Sequence, residues 1–204
     1  MSITFEVPSW HVLIPVFLIG SIFLCTSKRK FTYPQYVLLV TFFIYVMGVI
    51  HFTLFPLEIN IGKYANQAPW YSSVNPIPIF TLDIKTFVLN VIMFLPLGAY
   101  LPFLKNKYHS VKDIARIGFF MSGIIEIIQL CLRIFIGNGR SMDVNDLIAN
   151  TLGCIVGYLV IQKVFQINCI RTWLQHFVVY GVPPHIHQLK NRDKMDFSSH
   201  CLII

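Results

Sequence analysis

The sequence predicts an all-α fold: a polytopic membrane helical bundle with about five transmembrane helices, the N-terminus outside and the C-terminus cytoplasmic. Three observations carry that expectation. Of 204 residues, 55% are hydrophobic and only 12% are charged, against about 25% charged in a typical soluble domain. The mean hydropathy is +0.66, which excludes a soluble globular enzyme, and the 18 Phe, 9 Tyr and 3 Trp exclude disorder. Finally, five apolar stretches approach the length of about 20 residues that a bilayer requires.

In chain order these stretches cover residues 10–25, 36–57, 84–104, 114–136 and 144–165. The first is short for a span and the others are comfortable. Residues 58–83 form the one long loop, with Pro69, Trp70, Pro76 and Pro78. No internal repeat or low-complexity tract is evident. The expected organisation is an N-terminal anchor helix and basic loop over 1–35, a membrane domain over 36–166, and a cytoplasmic tail over 167–204.

Orientation follows from the 16 Lys and Arg. Lys28, Arg29, Lys30, Lys105, Lys107, Lys112, Arg116, Lys163, Arg171, Lys190, Arg192 and Lys194 fall on one side. Lys63, Lys85, Arg133 and Arg140 fall on the other. The positive-inside rule makes the first side cytoplasmic, so the net charge of +7 reads as basic inner loops and not as nucleic-acid binding. Glu6 before the first stretch and the basic cluster after it are the reverse of a cleaved signal peptide, so an uncleaved anchor is expected.

The five cysteines (25, 131, 154, 169 and 201) show no ligand spacing and read as reduced structural thiols. The terminal Cys201-Leu-Ile-Ile matches the shape of a prenylation signal, a pattern with one fixed residue and little specificity. His185 and His187 read as solvated tail residues. No metal site and no cofactor are expected. Ile170, Trp173, Leu174, Phe177 and Val178 share one helical face, opposite Arg171, Gln175 and His176. That segment is too short to span. It suits an interfacial helix on the inner membrane surface or a packed cap on the bundle.

Polar residues within the spans are the informative ones, because ionisable groups at membrane depth cost about 2.5–3.5 kcal/mol each and default to the bundle interior. In the fourth span Ser122, Glu126, Gln129 and Arg133 recur at i, i+4, i+7 and i+11, a single stripe. In the fifth, Asp146 and Asn150 continue into Gly153-xxx-Gly157, a spacing that permits close helix approach. Asn90 and His51 complete the set, and Arg140, Asp143 and Asp146 lie just above. Glu126 falls near the midplane, with Gln129, Arg133, Asn90, Asn150 and His51 between there and the outer surface. Two accounts fit: a buried structural network, for instance Glu126 bonded to Asn90 or Asn150, or a polar cavity for a ligand. The ligand-binding candidates are Asn90, Glu126, Gln129, Arg133, Arg140, Asp143, Asp146 and Asn150. The catalytic candidates are Glu126, Asp146 and His51.

In and before the third span the chain reads Val74-Asn75-Pro76-Ile77-Pro78, then Asn90-Val91-Ile92-Met93-Phe94-Leu95-Pro96-Leu97-Gly98. Glu126-x-x-Gln129, Arg140-Ser141-Met142-Asp143-Val144-Asn145-Asp146 and Asn150-Thr151-Leu152-Gly153 follow, and Thr53-Leu54-Phe55-Pro56 comes earlier. In this order the motifs resemble the VanZ family. The family usually reads Asn-Leu-Ile-Pro-Phe where this chain has Asn75-Pro76-Ile77-Pro78-Ile79. The resemblance covers residues 36–165 and implies a bacterial plasma-membrane protein associated with low-level resistance to teicoplanin, a glycopeptide with an acyl tail. It implies no agreed reaction. Three mechanisms remain open. One is binding of a lipid-linked cell-wall precursor or the lipidated drug, with Arg133 and Arg140 on phosphate or carboxylate. Another is an intramembrane enzyme acting on a lipid headgroup, with Glu126 or Asp146 as base and His51 as acid. The third is a proton-coupled transporter with Glu126 as carrier. Membrane lipids are expected partners, and the oligomeric state is left open.

Overall fold

A computed structural model describes residues 3–26, 31–62, 69–105 and 110–179. Lys28, Arg29, Lys30, Lys63, Lys107, His185, His187, Lys190, Arg192, Lys194 and Cys201, and the expectations that rest on them, lie outside the described residues. Strand β1 (Ile3–Val7) leads into α1 (Trp10–Thr26) and α2 (Tyr33–Leu54), followed by β2 (Leu57–Ile61). A 3-10 turn (Trp70–Ser73) and β3 (Val74–Asn75) precede α3 (Ile84–Leu104) and α4 (Val111–Ile136). Strand β4 (Met142–Asp143), α5 (Val144–Phe165), α6 (Asn168–Leu174) and a last 3-10 turn (Gln175–Phe177) complete the order.

Four helices, α2 to α5, are long and apolar enough to cross a membrane, with 22, 21, 26 and 22 residues. Helix α1 has 17 residues, the lower edge of the spanning range of roughly 17–25. It packs on α2 through Phe17 and Gly20, both against the ring of Phe43. The chain alternates between two ends of the bundle. All four strands share one end. Lys105, Ser110 and α6 share the other, the end that the charge distribution is expected to place in the cytoplasm, and the two ends are called outer and inner accordingly.

Local sequence sets the helix limits. Thr32 donates its amide to Gln35 Oε1 at 3.0 Å, which starts α2 three residues before the expected Tyr36. Pro56 follows its C-cap, Phe55, so Leu57 belongs to β2 and not to the span. Asp83 caps α3 by accepting from the Lys85 and Thr86 amides at 3.2 and 3.3 Å. Ser110 caps α4 by accepting from the Asp113 amide at 3.1 Å, starting it at Val111 and not at Ile114. Gly137, at φ 68°, ends α4 in the left-handed conformation that glycine reaches without strain.

Helices α3 and α5 form the centre, and glycine brings them together. A Cβ at Gly153 would stand 2.2 Å from the Val91 carbonyl oxygen, and one at Gly157 1.8 Å from that of Leu95. Reciprocally, a Cβ at Gly98 would stand 1.8 Å from the Cys154 carbonyl oxygen. Helix α4 lies against the same seam through Gly118, opposite Cys154. Phe94, Leu97, Leu101, Ile114, Cys154 and Tyr158 make the apolar core around it. Tyr45 of α2 donates to the Met93 carbonyl at 2.8 Å, in the turn that Pro96 loosens.

The expected long loop carries structure. Strand β2 pairs antiparallel with β1, from Ile3 opposite Ile61 to Val7 opposite Leu57. Strand β3 pairs parallel with β4, Val74 opposite Met142 and Asn75 opposite Asp143. At the inner end, the expected amphipathic segment is helical only to Leu174 and then tightens into the 3-10 turn. It caps the bundle: Val178 and Val179 are buried with Leu38 and Phe103. Gln35 Nε2 donates to the Val178 carbonyl at 2.8 Å, and the Val179 amide to that of Phe103 at 2.9 Å. Trp173 is exposed and its ring packs at a tilt against Phe177.

Candidate functional site

The helical stripe on α4 points inward. Ser122, Glu126 and Gln129 are buried and Arg133 is half-buried. Their partners come from α5, β4, α2 and the turn after α4. Asn150 Nδ2 of α5 donates to Ser122 Oγ at 2.9 Å. Glu126 Oε2 accepts from the Asp143 amide at 2.9 Å. Gln129 Nε2 donates to the Thr53 carbonyl of α2 at 2.9 Å. Arg133 Nη1 donates to the Asn138 carbonyl at 3.3 Å.

The expectation that Glu126 bonds Asn90 or Asn150 therefore fails. Asn90 lies beside the Asp146 carboxylate instead, and Asn150 bonds Ser122. The cause is the turn at β4, which carries the Asp143 amide down onto the Glu126 carboxylate.

Asp143 is a structural hub. Its Oδ1 accepts from the Asn145 amide at 2.8 Å, capping α5, and its Oδ2 accepts from Asn75 Nδ2 at 3.1 Å. With both oxygens engaged inside the fold, Asp143 fits poorly as the direct ligand contact that its sequence position suggested. His51 also stands apart. Its ring is exposed and packs edge-on against Phe52, while Thr53, two residues on, is buried. The face of α2 that meets α4 carries Thr53, so the geometry does not bring His51 to Glu126 as its acid partner.

Two arginines border the outer end. Arg140 is half-buried and its Nη2 donates to the Phe55 carbonyl at 2.8 Å. Asn138 joins it to Arg133: the Asn138 carbonyl accepts from Arg133, and its Oδ1 accepts from the Arg140 amide at 3.1 Å. Among the described residues the ion pair is Arg116 with Asp113, at the inner end, so neither outer arginine meets a carboxylate there. Asn138 is 2% exposed, yet its Nδ2 has no hydrogen-bond partner among the described residues, nor do Gln129 Oε1 and Asn150 Oδ1. Each such buried group costs about 1–3 kcal/mol.

The loop between β3 and α3 is tied to the same cluster. The Ile79 amide donates to Asn145 Oδ1 at 2.8 Å, and Thr81 Oγ1 receives the side chains of both Asn75 and Asn145. These bonds hold Ile79 at φ 72°, a left-handed conformation that costs a β-branched residue on the order of 1–3 kcal/mol. Asn75, Asn138 and Asn145 were not among the sequence candidates. Asn75 and Asn145 lie inside the motifs quoted above, so the motif was the available signal. Among the described residues no group of His, Cys, Asp and Glu could hold a metal ion.

A family model described as VanZ/LLP1 matches residues 42–166. The match takes in the stripe, both arginines, the glycine seam and the loop. No curated protein and no solved structure matches the chain.

Proposed function

This chain belongs to the VanZ/LLP1 family, and from that premise we propose that it binds an anionic lipid-linked headgroup at the outer end of its bundle. A lipid-linked cell-wall precursor or a lipidated glycopeptide of the teicoplanin type is the ligand, in the outer leaflet of a bacterial plasma membrane. Low-level glycopeptide resistance is then a consequence of that binding.

One observation carries the reading. Arg133 and Arg140 are held by backbone carbonyls through Asn138 and Phe55 and not by carboxylates, although Glu126, Asp143 and Asp146 lie on adjoining elements. Two of those carboxylates are occupied by amides, Glu126 by that of Asp143, and Asp143 by Asn75 and Asn145, while Asp146 lies beside Asn90. A guanidinium has five donors in a planar fork, and one bond each to a carbonyl leaves capacity for phosphate or carboxylate. Asn138 Nδ2 adds a donor between the two arginines.

The test is binding of a polyprenyl diphosphate, with the uncharged polyprenol as control, to protein in neutral lipid nanodiscs. A charge-assisted contact is worth about 1.5–3 kcal/mol, so Arg140→Gln weakens binding of the diphosphate roughly 10- to 100-fold and leaves the polyprenol unchanged. Arg140→Lys restores part of it, because charge remains without the fork. Arg116→Gln, at the inner end, is silent. Equal affinity of wild type and Arg140→Gln refutes the reading.

The transporter reading, and the enzyme reading with Glu126 as its base, both need the Glu126 charge. Glu126→Gln keeps an acceptor for the Asp143 amide, so the fold persists. Retained resistance in that variant removes both of these and leaves binding intact, with Asp146 as the remaining candidate base.

A further inference from the structure

Residues 76–82 read Pro-Ile-Pro-Ile-Phe-Thr-Leu, without a charge. In this loop Ile77 is 51% exposed, Ile79 75% and Phe80 93%. A polypeptide in water does not ordinarily hold its largest apolar side chains outward on a strained turn. Here the turn is fixed from behind. The Phe80 amide donates to the Pro78 carbonyl at 2.9 Å and the Leu82 amide to the Ile79 carbonyl at 3.2 Å. The Ile79 amide is bound to Asn145 Oδ1, and Thr81 Oγ1 donates to the Ile77 carbonyl at 3.1 Å. These bonds, made within the loop and to α5, leave an apolar tip whose shape is set before it meets anything.

The position of the tip is bounded by the chain. Phe80 precedes Ile84, the first residue of α3, by four residues, a reach of at most about 14 Å. Ile84, Val88 and Ile92 follow at i, i+4 and i+8 and are 71%, 47% and 57% exposed, the outward stripe of a spanning helix. Asp83 and Lys85, both exposed, mark headgroup level between them. The apolar surface of the tip is thus continuous in sequence with surface that hydrocarbon covers.

We propose that residues 77–80 are a wedge that dips into the acyl region of the outer leaflet, with Phe80 and Ile79 as its inserted side chains. The occupant of this surface is lipid. The proposal stands on the loop and on α3, and it holds whether or not the arginines bind a headgroup.

The experiment places tryptophan at the tip by Phe80→Trp, in protein whose Trp10, Trp70 and Trp173 are replaced by Phe. Vesicles are made of phosphatidylcholine with bromine either near the headgroup or deep in the acyl chain. The expected result is blue-shifted emission, resistant to aqueous iodide and quenched most by the shallow bromines. Red, iodide-sensitive emission without bromolipid quenching overturns the proposal. So does blue emission that bromolipid leaves untouched but that shifts with protein-to-lipid ratio, which would make the occupant a second copy of the chain. If the triple replacement does not fold, the difference in quenching between Phe80→Trp and wild type, each with its native tryptophans, decides the same question.

Discussion

Gly157→Ala adds one methyl group, and its effect can be worked from the seam. The new carbon would stand 1.8 Å from the Leu95 carbonyl oxygen, more than an ångström inside the 3.0 Å that real Cβ contacts respect. The atom it meets is backbone and cannot rotate away, so α3 and α5 must part. A radial gap of about 0.5–1 Å forfeits a quarter to a half of each dispersion contact, and the Gly98 and Gly153 crossings lie on the same pair of helices. We therefore take the upper end of the overpacking range, about 3 kcal/mol. Alanine returns about 1 kcal/mol over glycine in a helix. The net loss of about 2 kcal/mol corresponds to a Tm lower by roughly 4–8 °C for a chain of this size. Gly48→Ala is the control, since nothing lies within 4 Å of its Cβ position. It keeps only the propensity gain and raises Tm by roughly 2–4 °C. Thermal unfolding of both variants in one detergent decides. Shifts of the same sign and size would refute backbone contact between α3 and α5.

Truncation after Val179 keeps the Gln35 and Phe103 bonds to the last described residues, whereas truncation after Gln166 removes them and uncovers Leu38 and Phe103. Burial of two valines alone is worth about 3 kcal/mol, so only the shorter chain should lose stability in the same melting assay. At the head of α3, the Thr86 hydroxyl and the Lys85 amide hold the Asp83 carboxyl below the ordinary carboxylate range. Its contribution is therefore present at neutral pH and lost as pH falls through that lowered pKa. The Tm gap between wild type and Asp83→Ala should close on acidification below about pH 4, and a gap that widens there would contradict the cap.

Periodicity made the α4 stripe readable: residues at i, i+4, i+7 and i+11 share a face whatever they meet. The Gly153-xxx-Gly157 spacing likewise announced a close crossing, though not that the other partners are the carbonyls of Val91 and Leu95. What each polar group bonds was not readable. Glu126 finds the Asp143 amide because β4 folds down over it, and that depends on the pairing of Val74 and Asn75 with a segment far along the chain. The face of α2 was ambiguous for a related reason. His51 and Thr53 both look eligible in a uniformly apolar helix, and only the packing of α4 selects Thr53. Asn75 of β3 and Asn145 of α5 stood within the motifs, but nothing in the sequence marked them as site residues. Their role is visible only once Thr81 and Ile79 are placed beside them. The β1–β2 pair had no local signal, since no turn joins its strands.

That pair restricts how the molecule can be assembled. Strand β1 leaves the ribosome first, but its partner β2 follows both α1 and α2. The two strands can zip only if the residues before α1 and those after α2 emerge into the same compartment. Any insertion error that leaves one helix behind, or inverts the hairpin, strands the hydrogen-bonding edge of β1 without a mate. The ladder from Ile3–Ile61 to Val7–Leu57 is thus a clasp that closes on one threading of the first two helices. It reports correct insertion of a short, 17-residue first segment whose own hydrophobic length gives it little margin.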